Sequence, residues 1–268
     1  MIKVTVVGAA GRMGRRFVEN IINSDDLELW GALEIDSCPF IGEDAATVAC
    51  GKSCGVMISP ASGGLPEGTQ AVIIFATGGV IETARAASAM GASIVIGTTA
   101  LPQEVNDELA QLAEKGARIV KSGNMSVGVN LLINLVKKTA AVLGDDCDIE
   151  VIEMHHNQKK DAPSGTAAML AKAVLDTKEW SEDVITHGRN GVIGARPRKE
   201  IGMHSMRGGD VVGDHTVIFA LNGERVELTH KASSRDTFAN GALRAVRFLS
   251  TAPAGLYDMQ DVLGLKEL

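Results

Sequence analysis

The sequence predicts an α/β protein in two parts: an open sheet of parallel strands with helices between them, followed by a second segment of mixed α+β type. Three observations predict it. From residue 2 to about 121, short β-branched runs alternate with helix-like segments, the pattern of βαβ units. A turn with regularly spaced glycines joins the first strand to the first helix. Past Leu143 the strand-like runs lie close enough to pair antiparallel, two of them through the hairpin signal Asn222-Gly223.

Taken in order, Ile2–Val7 reads as a strand, Arg12–Asn23 as a helix and Leu27–Leu33 as a second strand. Residues 40–66, rich in Gly, Ser and Pro, show no regular period. Strands at Ala71–Phe75, Ser93–Ile96 and Arg118–Lys121 alternate with helices at Ile81–Met90 and Gln103–Lys115, and a helix spans Val127–Leu143. Strands are then expected at Asp148–Met154, Val211–Ala220 and Arg225–His230, with a helical run at Ala167–Leu175. The final helix, Asp236–Ser250, carries Phe238, Ala242, Ala245, Val246 and Leu249 on one face, which needs a core to meet. Periodicity does not say which core.

The chain has 268 residues, 45% of them hydrophobic, with a formal net charge of -7, which fits a folded globular protein and argues against nucleic acid or a membrane surface as partner. No apolar run approaches the length of a bilayer span, and Met1 leads straight into a strand with no secretory leader, so a cytoplasmic location is expected. Four cysteines include the spacing Cys50-x3-Cys54 but no second pair; reduced structural thiols and no metal site are expected.

The glycine-spaced turn is Gly8-Ala9-Ala10-Gly11-Arg12-Met13-Gly14. Following a strand and opening a helix, it reads as a dinucleotide cradle. The first glycine permits the turn, the second admits a pyrophosphate and the third lets helix approach strand. Glu34 stands about 20 residues further on, where an acid accepts the ribose hydroxyls. Ile35 and Asp36 follow it and supply no cation for a 2'-phosphate, so NADH is expected over NADPH, although Arg12 leaves use of both open. Gly97-Thr98-Thr99 and Ser122-Gly123-Asn124-Met125 end two further strands, where an open α/β sheet places its ligand.

The densest chemistry lies in Glu150–Thr166, E-V-I-E-M-H-H-N-Q-K-K-D-A-P-S-G-T. A strand delivers His155 and His156, Asp161-Ala162-Pro163 breaks the chain, and Ser164-Gly165-Thr166 opens a helix. Imidazole and ammonium groups offer protons, and a helix N-terminus offers a seat for an anion, so this loop reads as the centre of an enzyme acting on a small carboxylate. Each part has a plainer reading: Ser164 as a helix cap, Lys159 and Lys160 as a solvated loop, His155 or His156 as a structural residue. Arg207-Gly208-Gly209-Asp210 and the segment from His230 to Arg235 add cations read equally well as ligand contacts or as solvated loops.

With these residues in view, the chain resembles the 4-hydroxy-tetrahydrodipicolinate reductase family, also called dihydrodipicolinate reductases. The likeness runs nearly end to end, through V-G-A-A-G-R-M-G at 7–14, G-T-T at 97–99, N-M-S-V-G-V-N at 124–130, E-M-H-H-N-Q-K-K-D-A-P-S-G-T-A at 153–167, G-D-V-V-G-D-H at 209–215 and H-K-A-S-S-R-D-T-F-A-N-G-A at 230–242. The resemblance implies a Rossmann-like dinucleotide-binding domain from residues 1–126 plus 236–268, and a substrate-binding and tetramerisation domain at 127–235. It implies that His155 is the proton donor/acceptor and Lys159 the proton donor, with His156, Gly165 and Thr166 on the substrate carboxylates. Gly8, Ala9, Ala10, Gly11, Arg12, Met13, Glu34, Gly97, Thr98, Thr99, Ser122, Gly123, Asn124 and Met125 would line NADH or NADPH. Family members often carry Arg after the acidic ribose ligand, where this chain has Ile35. Two other readings share the glycine turn: another two-domain nicotinamide dehydrogenase acting on amino acids, and a regulatory NAD-binding protein with an idle loop.

Overall fold

The computed structural model describes residues 1–266; Glu267 and Leu268, the end of the expected first domain, lie outside the described residues. In chain order the elements are β1 (Ile2–Val7), α1 (Arg12–Ile22), β2 (Leu27–Glu34), α2 (Ala45–Cys50), β3 (Ile58–Pro60), β4 (Ala71–Ile74), α3 (Val80–Ala89), β5 (Ser93–Ile96), α4 (Gln103–Glu114) and β6 (Arg118–Lys121). They continue with α5 (Val127–Leu143), β7 (Asp148–His155), α6 (Gly165–Lys178), β8 (Ile185–His187), β9 (Ile201–Arg207), β10 (Gly213–Ala220) and β11 (Arg225–Ala232). The chain closes with α7 (Asp236–Leu249), β12 (Gly255–Tyr257) and α8 (Met259–Val262). Two compact units result, Met1–Val127 joined by the chain from Arg235 on, and Gly128–Ser234.

The first unit is built on a seven-stranded sheet in the order β12-β6-β5-β4-β1-β2-β3, and every neighbouring pair is parallel. A parallel sheet is covered on both faces, so its strands are apolar throughout: β4 and β5 are buried at all positions. The chain runs outward from β1 to β3 and then crosses back to β4 beside β1, which puts the topological switch point at the carboxyl ends of β1 and β4. Helix α7 buries Ala239, Ala242, Leu243, Ala245, Val246 and Leu249 in the same core as β1 and α1, which gives its apolar face a partner. The irregular segment 40–66 holds the short α2 and β3, with Asp44 capping α2 through the N–H groups of Ala46 and Thr47.

The second unit is a five-stranded mixed sheet, β11-β10-β7-β9-β8. β10 is antiparallel to both β7 and β11, while β9 pairs parallel with β7 and with β8. Ile149 and Val151 of β7, Val217 and Phe219 of β10, and Ile201 and Met203 of β9 form the core with α5 and α6. The segment Val127–Asp146 is, by length and apolar composition alone, long enough to cross a membrane, which corrects the expectation that no run approaches that length. Its Val129, Leu132, Ile133, Val136 and Ala140 belong to this core, which is the setting of a core helix.

Close approach of α1 to β1 depends on two glycines. Gly8 turns with φ of +86°, and a Cβ on Gly14 would collide with the Gly8 carbonyl oxygen and with the Ala9 backbone. Gly14→Ala is therefore expected to destabilise the first unit by about 1–3 kcal/mol, as for an overpacked contact, read as a lower urea midpoint in cofactor-free protein. An unchanged midpoint would show that helix and strand separate at no cost.

Candidate active site

In the first unit, the site is assembled where β1 and β2 end. Gly8 and Ala9 donate their N–H groups to the Leu33 carbonyl, at 2.8 and 3.1 Å, so the turn is fastened to the end of β2. Glu34 lies at that end; its Oε1 accepts the Ala10 N–H at 2.9 Å, which brings the acid against the turn. Gly11 is the N-cap of α1 and offers no side-chain acceptor, so the N–H groups opening this helix, at Arg12 and Met13, point toward an anion position with no side chain competing for them. Glycine cradle, bare helix N-terminus and adjoining carboxylate together fit a dinucleotide. Ile35, directly after Glu34, is 64% exposed and brings no cation. Arg15 is held by the Ala10 carbonyl at 2.8 Å and lies over the Phe40 ring.

The other two strand-end turns lie in the same unit. Thr98 donates to the Ala76 carbonyl at 2.9 Å, which joins the Gly97-Thr98-Thr99 turn to the loop after β4. Ser122 donates to the Asn124 carbonyl at 2.8 Å, and the Asn124 side chain accepts the Ser126 N–H at 2.8 Å. The Met125 side chain is 1% exposed and belongs to the core, and Asn124 is buried as well, so this turn presents Ser122 and Gly123. The loop Ala76-Thr77-Gly78-Gly79, which follows β4 at the switch point, is not among the residues expected from the sequence; its signal is a Gly-Gly pair a few residues past the β-branched run Val72-Ile73-Ile74.

In the second unit, β7 ends on His155, and the backbone then turns. His156 donates its N–H to the Val211 carbonyl at 2.7 Å, and Asn157 donates to Gly209 at 3.2 Å, so the His loop lies against residues 208–211. This also explains why β10 starts at Gly213 rather than at Val211: the Val211 carbonyl is taken by the loop. The Lys159 ammonium bonds both Asp161 oxygens, at 2.9 and 2.8 Å, and holds that carboxyl below its usual range. Lys160 is exposed. A cis bond joins Ala162 to Pro163, and Ser164 then caps α6, its Oγ accepting the Ala167 N–H at 3.1 Å. Gly165 and Thr166 are the first residues of that helix, at its positive end, and Gly165 is exposed. Arg235 falls in the first unit and Arg207-Gly208-Gly209 in the second.

Beneath this loop lies a buried polar cluster that spacing alone did not reveal. Glu153, 0% exposed, accepts from His155 Nδ1 at 2.6 Å, from both terminal guanidinium nitrogens of Arg207 at 2.9 Å each, and from the Ser164 N–H at 3.2 Å. Burial alone would raise the Glu153 carboxyl, but the hydrogen bonds from Arg207, His155 and Ser205 outweigh it and hold it below the usual range. His155 meets His215 edge to face with ring centroids 5.1 Å apart, and His215 Nε2 is 3.0 Å from Ser164 Oγ. Burial first, then the neighbouring His155, push His215 down to about 4, with Lys159 adding to the effect. The signal for Glu153 was its phase: it lies two residues before His155, on the inward face of Ile149 and Val151.

Among the described residues, no group of three or more His, Cys, Asp or Glu is arranged to hold a metal ion, and all four cysteines are free. The neutral His215 has a consequence for stability. The folded protein refuses a proton that the unfolded chain takes up near pH 6.5, so stability is full above 6.5 and falls as pH drops towards about 4. The loss is on the order of 3 kcal/mol. In His215→Gln, urea unfolding across this window should show a correspondingly smaller decline; an unaltered slope would place the effect elsewhere.

Comparison with known proteins fits these two sites. Residues 2–125 match the model described as "Dihydrodipicolinate reductase, N-terminus", and residues 128–263 match "Dihydrodipicolinate reductase, C-terminus". The chain is 46% identical over 270 residues to a 4-hydroxy-tetrahydrodipicolinate reductase of Roseobacter denitrificans, covering 99% of this chain and 98% of the relative. It is 44% identical over 268 residues to one of Anaeromyxobacter dehalogenans, covering 99% of each. A dipicolinate-bound dihydrodipicolinate reductase from Paenisporosarcina sp. TG-14 shares the fold at a TM-score of 0.75 and 24% identity, covering 97% of this chain and 98% of that one. An amine dehydrogenase from Mycobacterium smegmatis shares it more loosely, at a TM-score of 0.57 and 13% identity over 95% of this chain and 94% of that one. The glycine turn beside Glu34 and the His-His-x-x-Lys loop before α6 thus stand in a chain that belongs to the dihydrodipicolinate reductase family.

Proposed function

We propose that this chain catalyses the NAD(P)H-dependent reduction of 4-hydroxy-tetrahydrodipicolinate to tetrahydrodipicolinate, with loss of water, in the diaminopimelate route to lysine. The observation that carries it is His155, anchored through Nδ1 beside a helix N-terminus at Gly165-Thr166, in a chain whose relatives carry that reductase name along their whole length. Dipicolinate in the Paenisporosarcina structure supports a cyclic dicarboxylate as the ligand class.

In this reading Gly8–Met13 bind the pyrophosphate, Glu34 takes the adenosine ribose hydroxyls, and the turns at 97–99 and 122–125 border the nicotinamide. Gly165, Thr166 and His156 hold the substrate carboxylates, which fixes the ring and supplies the proximity part of catalysis. Loss of the ring hydroxyl as water leaves a conjugated imine. The dinucleotide, when bound, supplies the hydride to ring carbon 4. The negative charge that then spreads over the ene-imine system requires a proton, which Lys159 delivers with His155 as its partner in proton transfer. Lys159→Ala should lower turnover by at least about a hundredfold with dinucleotide binding intact, followed by absorbance at the nicotinamide band and by titration of the cofactor. Turnover near that of the wild type would reject the role.

The absence of a cation at Ile35 supports NADH as the preferred cofactor. Steady-state kinetics should give a higher kcat/KM with NADH than with NADPH, and Ile35→Arg should raise the NADPH value by about tenfold, the gain of one charge-assisted contact. A strong NADPH preference in the wild type would overturn this. A homotetramer is part of the same reading: the second sheet's other face bears Ile152, Met154 and Ile218 with the exposed Met206, and none of these joins the core cluster of that unit. The cytoplasm is the proposed location.

A further inference from the structure

The buried Glu153 carboxylate is ringed by donors, and their directions fix a protonation pattern. Oε1 accepts from Arg207 Nη2 and the Ser164 N–H, and Oε2 from Arg207 Nη1 and His155 Nδ1. A carboxylate offers about four acceptor positions, and a group so surrounded has no room for a proton of its own. Nδ1 of His155 must therefore be the donor. The neutral ring then carries its hydrogen on Nδ1 and leaves Nε2 as the atom that gains and loses a proton. A Cβ on Gly213 would come within 3.0 Å of that Nε2, so the far edge of the ring lies against a residue without a side chain. Arg207 also donates to the Asp161 carbonyl at 2.7 Å, and Ser164 caps the helix that begins with Gly165 and Thr166. One ion pair thus holds the imidazole and both ends of the turn leading to the anion seat.

We propose that Glu153 and Arg207 are positioning residues that set His155 in the Nδ1–H tautomer and register its ring against the N-terminus of α6. This rests on the reductase reading for the role of His155, but the tautomer itself does not. Glu153 acts through His155, as a carboxylate that orients an imidazole does in other sites, where loss of such a partner costs about 10–100-fold in activity.

The experiment is nitrogen-15 spectroscopy of the histidine side chains in the whole protein, with the His155 ring neutral, together with steady-state kinetics. The wild-type ring should show the Nδ1–H form; an Nε2–H ring overturns the proposal, with no variant required. In Glu153→Gln the amide oxygen best serves Arg207 Nη2 and the Ser164 N–H, since the opposite orientation would set the amide NH2 against both donors. The NH2 then faces Nδ1 and turns His155 into the Nε2–H tautomer. The variant should show that switch and a kcat lower by about 10–100-fold, with the KM for the dinucleotide unchanged. A switched tautomer with wild-type kcat, or a lowered kcat with the tautomer unswitched, rejects the positioning role. If the variant does not fold, the wild-type spectrum decides. Failure of the wild type to reduce the cyclic substrate would reject the reductase reading instead, and would leave the spectrum to stand on its own.

Discussion

A carboxylate with no exposed surface must be ringed by donors or lose its charge, and Glu153 is ringed by them. Four parts of the second unit meet there: β7 supplies the acid and His155, β9 supplies Arg207, the turn after Asp161 supplies the Ser164 N–H, and α6 begins directly after it. Breaking one partner of such a buried pair commonly costs about 3–5 kcal/mol, because the remaining charge is stranded. That penalty makes the cluster stiff. Beside it His215 stays neutral over the range in which an ordinary histidine takes a proton, because burial and the neighbouring His155 outweigh the Glu153 charge, which acts the other way.

The first unit is constrained by contact rather than by charge. Gly8 and Gly14 let the α1 backbone come down on the end of β1, and the turn so formed is fastened to Leu33 and, through Ala10, to Glu34. The acid expected on the ribose is therefore also part of the turn's own structure, with lone pairs left over for a ligand. The side chain that follows it, Ile35, is exposed and brings no cation to this end of β2.

Much of this architecture was legible because parallel strands are buried on both faces and advertise themselves as apolar runs: β4, β5 and β6 begin where the sequence places them, and only β4 stops short, by one residue. The elements that were not legible have physical reasons. β3, β8 and β12 are three residues long, and β12 pairs with β6 from far along the chain, so no local period marks them. β9 reads I-G-M-H-S-M-R, with polar residues where alternation should show; its place in the sheet is secured by pairing to β7 and by an ion cluster in which His204, Arg189 and Arg196 converge on Glu150. In the same way α6 runs from Gly165 to Lys178, beyond its apolar stretch, because Ser164 caps one end and Lys178 reaches the Gly144 carbonyl at the other.

The candidate site divides along the same line. The sequence by itself determined the glycine turn, its acid, and the juxtaposition of His155, Lys159 and the Ser164-Gly165-Thr166 cap, because each is a short-range pattern whose chemistry follows from spacing. Only the tertiary structure decided which atoms of those residues are available. Glu153 claims Nδ1 of His155, Asp161 claims the Lys159 ammonium, and the core claims the Met125 side chain. Two of these partners, Glu153 and Asp161, were within a few residues and visible, yet Glu153 acquires its meaning from Arg207, more than fifty positions later on another strand. A hydrogen bond is fixed by distance and direction in space, and sequence separation carries neither.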